Sequence, residues 1–243
     1  MRRPPPQLSR EHPALMADSA RSRLRLIDPA TLIDPASLRP PGGAVFDMHT
    51  HSSDRSFDSG ARAEVLAEQA ALRGLDGFVL TEHNSLWADS DVRRLSEAFE
   101  VTVLRGMELG TDIGHVLVYG LDRYAPELLL ITRLREIVCS EGAAMVLAHP
   151  MRAHNGRHPS WSDLPYWFEA IEAVNGDNSD STDGYYMRLA ADNGVATVGG
   201  SDAHSREAIG RVATAFPEPI TEVADLVQLL VDGRAEAVDM RPV

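Results

Sequence analysis

From residue 43 onward, short apolar runs alternate with longer segments whose apolar residues recur at helical spacing. Runs such as residues 43–48 and 75–83 have the length of buried strands, and segments such as residues 61–74 and 126–142 have the spacing of amphipathic helices. Repeated alternation of this kind is typical of a parallel sheet or barrel covered by helices. The sequence therefore predicts an α/β fold.

The first 42 residues differ from the rest of the chain. They contain PPP at 4–6, a high density of arginine and RPPGG at 39–43. Segments rich in Pro and charge bury too little apolar surface to fold alone. We expect residues 1–42 to form a flexible leader, with a short docked segment near residues 24–38, and residues 43–243 to form one barrel domain.

Composition limits the function. The chain has 243 residues with 44% hydrophobic and 24% charged residues, which are values of a globular protein. Its net charge of −13 disfavours long nucleic acid and anionic membranes as partners. No apolar run approaches the roughly 20 residues of a membrane span, and no signal-peptide core is present, so we expect a cytoplasmic protein. The sequence leaves the oligomeric state open.

Two residue types are informative because they are scarce. The chain contains no lysine, which excludes Schiff-base catalysis by lysine and a Walker A phosphate loop. Its single cysteine, Cys139, excludes an intrachain disulfide. The apolar pattern around Cys139 predicts a buried position on a helix, as is usual for free cysteine.

Side chains that bind metals follow one predicted strand after another. A lone histidine at a strand end is usually structural, but here the pattern recurs on at least five strands. The carboxyl ends of parallel barrel strands share one face, which carries the active site. His, Asp and Glu suit Zn, Mn or Fe, and their number exceeds what one tetrahedral ion uses, which favours two or three ions. The residues are His49, His51, His83, Glu108, His115, His149, Asn175, Asp202 and His204.

Seven short motifs occur in a fixed order. They are DMHTHS at 47–52, GLDGFVLTEHN at 74–84, GMEL at 106–109, HVLVYG at 115–120, AHPMR at 148–152, IEAVNG at 171–176 and GSDAHS at 200–205. This ordered set resembles the PHP (polymerase and histidinol phosphatase) superfamily of metal-dependent phosphoesterases. The resemblance covers residues 45–216, with TEHN in place of the more frequent TDHN.

The resemblance implies a distorted (β/α)7 TIM-like barrel and a trinuclear site for Mn, Fe or Zn. Motif matching gives three ligand sets: His49, His51, Glu108 and Asp202; Asp58, His83 and His204; and His115 and His149 with Glu108 bridging. Asp54 is the alternative to Asp58, because the loop is one residue longer than the family pattern. His115 alternatively orients another ligand without binding an ion itself.

The resemblance also implies hydrolysis of a phosphate monoester by a metal-bridging hydroxide, on a small phosphorylated metabolite or nucleotide. Without lysine, Arg152 is our first candidate for clamping the phosphate and Arg206 the second, because guanidinium binds phosphate oxygens in pairs. His204 is a candidate proton donor to the leaving group, with His154 and His158 as alternatives.

Three other functions compete with this one. A phosphodiesterase or 3′–5′ exonuclease would use the same metals, but the acidic charge counts against long nucleic acid. A non-catalytic metal-binding PHP module would keep the shape alone. An amidohydrolase-type C–N hydrolase is disfavoured by the absence of lysine and by the GSDAH motif. The short chain shows no insertion for a separate capping domain, which favours small diffusible substrates.

Overall fold

A computed structural model describes residues 8–9, 32–150, 152 and 158–242. The strands are β1 (Leu8–Ser9), β2 (Ala44–Thr50), β3 (Gly77–His83), β4 (Thr102–Thr111), β5 (Gly114–Tyr119), β6 (Ala144–Leu147), β7 (His158–Pro159), β8 (Ala170–Asn175), β9 (Ala196–Gly200), β10 (Val212–Phe216) and β11 (Glu236–Asp239). The helices are α1 (Pro35–Leu38), α2 (Ala63–Leu72), α3 (Asp89–Phe99), α4 (Ile131–Glu141), α5 (Leu164–Trp167), α6 (Asp180–Asn193) and α7 (Val223–Val231). Two 3₁₀ helices cover Pro126–Leu129 and Trp161–Asp163.

Nine strands form one sheet in the order β11-β10-β2-β3-β4-β5-β6-β8-β9. The sheet curves back on itself, so that β9 reaches β10. There the Gly199 amide donates to Thr214 Oγ1 over 2.8 Å, and the same hydroxyl donates to the Gly199 carbonyl over 2.9 Å. The result is a nearly closed barrel with helices between its strands. The predicted α/β, TIM-like architecture is confirmed.

The expectation of a parallel sheet is wrong for two strands. β2, β3 and β4 are parallel, as are β6, β8 and β9, but β5 is antiparallel to both β4 and β6. β10 is likewise antiparallel to β2. The turn between Thr111 and Gly114 is too short for a crossover helix, so β4 and β5 form a hairpin. The start of β5 therefore lies at the same edge as the carboxyl ends of its neighbours.

Part of the predicted leader lies against the barrel. Pro35 is buried, the Ile33 amide donates to the Met240 carbonyl over 2.9 Å, and Arg39 pairs with Asp76 at 2.7 Å. Leu8–Ser9 pairs with β7 in a separate two-stranded sheet. The other residues before 32, including much of the docked segment expected near 24–38, lie outside the described residues.

The position of Cys139 contradicts its prediction. Helix α4 buries Ile131, Leu134, Ile137 and Val138 against the sheet, while Cys139 is exposed. The buried stripe of the helix ends one residue before the cysteine, which turns Cys139 to solvent. Within the described residues, no helix has the length and apolarity needed to cross a membrane.

Candidate metal centre

One end of the barrel gathers the predicted ligands. They lie at strand ends or in the loops that follow them, and the hairpin at β5 adds a histidine from a strand start. The positions are His49 on β2, His51 and Asp58 after β2, His83 on β3, Glu108 on β4, His115 on β5, His149 after β6, and Asp202 and His204 after β9.

Glu108 lies at the middle of the cluster, with its side chain 1% exposed. Its Oε1 is 2.7 Å from His115 Nδ1 and 3.0 Å from His149 Nε2. Its Oε2 is 2.9 Å from His83 Nδ1 and 3.2 Å from His51 Nε2. The two oxygens of one carboxylate therefore face two different sets of imidazoles, as a bridging ligand would.

Asp202 faces the cluster from the opposite wall. Its Oδ1 lies 3.4 Å from Nε2 of both His49 and His51, and its Oδ2 lies 4.0 Å from His149 Nε2. Asp202 and His149 both have positive φ values, of 53° and 24°. Such backbone costs about 1–3 kcal/mol for non-glycine residues and is concentrated at functional sites. The chain accepts local strain to turn these two side chains inward.

Asp58 occupies the open edge of the cluster. Its Oδ2 is 3.0 Å from His83 Nε2 and 3.4 Å from His204 Nε2. The alternative ligand, Asp54, accepts a hydrogen bond from the Ala63 amide at the start of α2 instead. The structure thus brings Asp58, and not Asp54, to the predicted ligands.

The donor set fits divalent metal ions. His49 Nε2, His51 Nε2 and Glu108 Oε2 are buried and have no hydrogen-bond partner among the described residues. Buried polar atoms nearly always have such a partner, so these atoms are arranged for a different ligand. Four overlapping sets of three ligand atoms lie within 4.8 Å of one another, and the mixture of imidazole and carboxylate suits Zn, Mn or Fe.

The electrostatics agree with this arrangement. Burial alone would raise the pKa of Glu108 and of Asp202, yet the surrounding histidines, His49 foremost, hold both values well below the usual range. Burial alone would lower the pKa of His51, yet the carboxylates of Asp202 and Glu108, both within 3.4 Å of its Nε2, raise it to about 9. These directions favour ionised carboxylates and a proton on His51, which a metal ion would displace on binding.

Comparison with known proteins supports the resemblance. A family model described as PHP-associated matches residues 186–235. The chain is 19% identical to a two-domain protein from Bacteroides vulgatus ATCC 8482, described as containing a predicted PHP-like metal-dependent phosphoesterase, with a TM-score of 0.64 over 83% of this chain and 67% of that one. With PsfC from Pseudomonas syringae PB-5123 it shares 22% identity and a TM-score of 0.62, over 82% of this chain and 92% of that one.

A curated relative matches a shorter region. Ribonuclease P protein component 3 of Natronomonas pharaonis is 30% identical over 122 residues, which is 46% of this chain and 47% of that protein. The chain thus matches about half the length of that relative. The family model, the barrel and the candidate ligands at its strand ends agree with the resemblance to the PHP superfamily.

Sequence reasoning missed the carboxylates beneath the candidate ligands. Glu172 on β8 is fully buried, with Oε1 2.9 Å from His49 Nδ1 and Oε2 2.9 Å from the His149 amide. Glu82 on β3 accepts hydrogen bonds from the Ser52 and Ser56 hydroxyls, at 2.5 Å each. The available signal was a glutamate within an apolar run, as in IEAV and VLTE, because a charge at a buried strand position needs a partner.

The two arginine candidates, Arg152 and Arg206, lie in different places. Arg152 pairs with Asp202, so it lies at the candidate ligand cluster. Arg206 is exposed and contacts Gln69 at 3.2 Å and Glu207 at 3.9 Å, on the side of α2. The turn that directs Asp202 and His204 inward carries Arg206 outward, so the structure does not bring this predicted clamp to the cluster. His154 and the side chain of His158 lie outside the described residues.

Proposed function

We propose that this protein is a metal-dependent hydrolase of phosphate monoesters, acting on small metabolites or nucleotides. The observation that carries the proposal is Glu108, whose two buried oxygens each face a separate set of histidines. Divalent ions bound there would supply an activated water and neutralise charge on the phosphoryl group. The His49, His51, Asp202 set and the His115, His149 set would hold such ions with Glu108 between them, and Asp58, His83 and His204 would hold one at the open edge.

Hydrogen bonds on the far side of two imidazoles fix their orientation toward the cluster. Glu172 Oε1 lies 2.9 Å from His49 Nδ1, which favours the tautomer with the proton on Nδ1 and leaves the Nε2 lone pair facing the cluster. His204 Nδ1 lies 2.8 Å from the Asp202 carbonyl and, as donor, leaves Nε2 toward Asp58. This orientation favours His204 as a ligand. Its role as proton donor to the leaving group stays a prediction.

Arg152 is our candidate for binding a phosphate oxygen. Its guanidinium contacts the ligand Asp202, and the side chain remains 34% exposed, so it reaches both the cluster and the solvent side. A planar guanidinium matches the geometry of phosphate oxygens. Small substrates are favoured by the acidic net charge of −13, which repels long nucleic acid.

The test is phosphate release from a broad panel of phosphomonoesters, with added Mn²⁺ or with chelator, in wild type and in Glu108→Ala. We expect release from a subset of the panel that requires metal and is lost in the variant. No release above background in protein shown to contain metal would contradict the proposal and favour a non-catalytic metal-binding module.

A phosphodiesterase or nuclease is the second candidate. It is favoured by the match to the curated relative, whose name is that of a ribonuclease P component. The measurement is cleavage of a 5′-labelled oligonucleotide by the same metal-loaded protein. Strong shortening of the oligonucleotide, with little release from monoesters, would replace our first choice with this one.

A further inference from the structure

We infer that Arg241 is a positioning residue: through the loop from Asn175 to Asn178 it fixes the guanidinium of Arg152 for a phosphate oxygen. The inference rests on the proposed function, since it assigns Arg152 to the phosphate. Arg241 follows β11, and within the described part of the chain its guanidinium contacts Asp183, Asp239 and the loop carbonyls, not a candidate metal ligand. Its effect on the site is therefore transmitted by other residues.

The side chain of Arg241 binds the backbone of the loop. The side chain is only 11% exposed, and Nη2 pairs with Asp183 Oδ2 at 2.6 Å and with Asp239 Oδ2 at 2.7 Å. Its Nη1 donates to the carbonyl oxygens of Asn178 at 3.0 Å and of Asn175 at 3.4 Å. One guanidinium thus ties both ends of the loop to the start of α6 and the end of β11.

The loop presents its side-chain oxygens to Arg152. Arg152 Nη2 donates to Asn175 Oδ1 at 2.5 Å and to Asn178 Oδ1 at 3.3 Å. The side-chain nitrogen of Asn178, Nδ2, donates to Asp183 Oδ1 at 3.0 Å, which leaves the side-chain oxygen of Asn178 for Arg152. Asp183 therefore receives both Arg241 and Asn178, and it fixes the loop in the orientation that Arg152 requires.

Arg152 completes the connection to the ligands. Nη1 pairs with Asp202, while Nη2 is held by two neutral amide oxygens. The two neutral acceptors fix the plane of the guanidinium without placing a second carboxylate against it, so its Nη2 side keeps an attraction for a phosphate anion. Loss of Arg241 would release the loop carbonyls and let this plane rotate.

A purely structural role for Arg241 predicts something different. If it only fastened β11 to α6, its loss would lower thermal stability and leave phosphate binding by the folded protein unchanged. The measurement that separates the two roles is the dissociation constant of metal-loaded protein for inorganic phosphate. It is read by calorimetry well below the melting temperature.

The variant is Arg241→Gln, with Arg234→Gln as matched control, because Arg234 is an exposed arginine paired with Glu218 at 2.5 Å near the same end of the chain. We expect about tenfold weaker phosphate binding in Arg241→Gln and none of this loss in Arg234→Gln. Arg241→Lys, which keeps the charge but not the planar fork, gives an intermediate loss and serves if the glutamine variant does not fold. Equal phosphate binding by wild type, the Arg241 variants and the control overturns the inference.

A double-mutant cycle tests the route through Arg152. If Arg241 acts through Arg152, Arg241→Gln adds no further loss to Arg152→Gln, whereas independent effects add. Additivity overturns the inference. The proposed function is read separately from turnover: wild type that binds phosphate but hydrolyses no monoester contradicts that function and leaves the cycle to decide the inference. Wild type that binds no phosphate contradicts both.

Discussion

The candidate metal-binding cluster has two parts that differ in burial. The inner group, whose side chains are at most 5% exposed, comprises His49, His51, Glu108, His149 and Asp202. The outer group, with side chains 26–39% exposed, comprises Asp58, His83, His115 and His204. The two groups share chemistry and a face of the barrel, and they differ in what holds them in place.

Inner ligands are held by the barrel itself. Glu172 contacts both the His49 ring and the His149 backbone from below, and a methyl group at Gly200 would lie 2.4 Å from His49 Cβ. Outer ligands are held by contacts to the inner ligands and to each other, as His83 is between Glu108 of the inner group and Asp58. Rigid ligand sets bind ions more tightly, because less order is lost on binding. We therefore expect inner ions to be retained and outer ions to exchange near the substrate entrance.

The largest expected effect is at the inner group. His51→Asn removes a buried ligand that lies within 3.4 Å of both Glu108 and Asp202. We expect hydrolysis to fall by more than about 100-fold, since even groups behind a ligand are worth 10–100-fold. Metal content by mass spectrometry and phosphate release are the measurements. Full metal content after dialysis would show that burial does not set retention.

A smaller effect is expected for Glu172, which lies behind the ligands of the inner group. Glu172→Gln weakens the contact to His49 Nδ1, and we expect a loss of about 10–100-fold in metal affinity. Glu169→Gln is the control on the same segment, because Glu169 contacts Arg135 and the Met145 amide at the other end of β8. Competition with a fluorescent chelator measures both variants. Equal metal affinities in the two variants would show that Glu172 does not support metal binding.

The outer group should respond more weakly. Asp58→Asn weakens one exposed ligand, and we expect about a tenfold rise in the dissociation constant of the most weakly held ion, at the low end of the range for metal-site changes. Asp54→Asn is the control from the same loop, since Asp54 faces α2 and not the ligands. Titration with Mn²⁺ compares the two. A larger loss from Asp54→Asn would reverse the assignment of this ligand.

The inner and outer groups also differ in how far sequence alone could describe them. Strand order along the chain and the ends of β2, β3 and β4 follow from apolar runs, so His49, His83 and Glu108 could be placed on one face. The barrel is confirmed, and its antiparallel β5 follows from a two-residue turn that the parallel expectation overlooked. The same strand-end pattern named His51, His115, His149, Asp202 and His204, and motif matching added Asp58 and the grouping into three sets.

Contacts between residues far apart in the chain could not be predicted from apolar runs or local motifs. Glu172 meets His49 across 123 residues of chain, and only the closure of the barrel brings them together. Arg206 is two residues from His204, yet the turn between them sends the side chains to opposite sides. Closeness in sequence to His204 was therefore a poor guide to the position of the Arg206 side chain. The direction of a side chain in a loop depends on backbone angles that residue type does not determine.

The smallest effect is expected at a surface carboxylate far from both groups. Asp225 at the start of α7 accepts hydrogen bonds from the Thr221 amide at 2.9 Å, the Thr221 hydroxyl at 2.8 Å and the Glu222 amide at 3.1 Å. The Thr221 amide is the main cause that lowers the Asp225 pKa from its ordinary value. Its stabilising effect is therefore complete above the unfolded-state pKa of about 3.9 and is lost as pH falls through the lower folded-state value.

We expect Asp225→Ala to lower the free energy of unfolding by about 1 kcal/mol at neutral pH, the usual contribution of a helix cap. Urea unfolding at neutral pH and at successively lower pH should show this difference shrinking once Asp225 is protonated in the wild type. Metal content should stay at the wild-type level, because the hydrogen bonds that Asp225 accepts come from Thr221 and Glu222 at its own helix start. Loss of metal in this variant would mean that changes at a remote surface carboxylate reach the ligands, and the separation between a rigid inner group and a loosely held outer group would have to be abandoned.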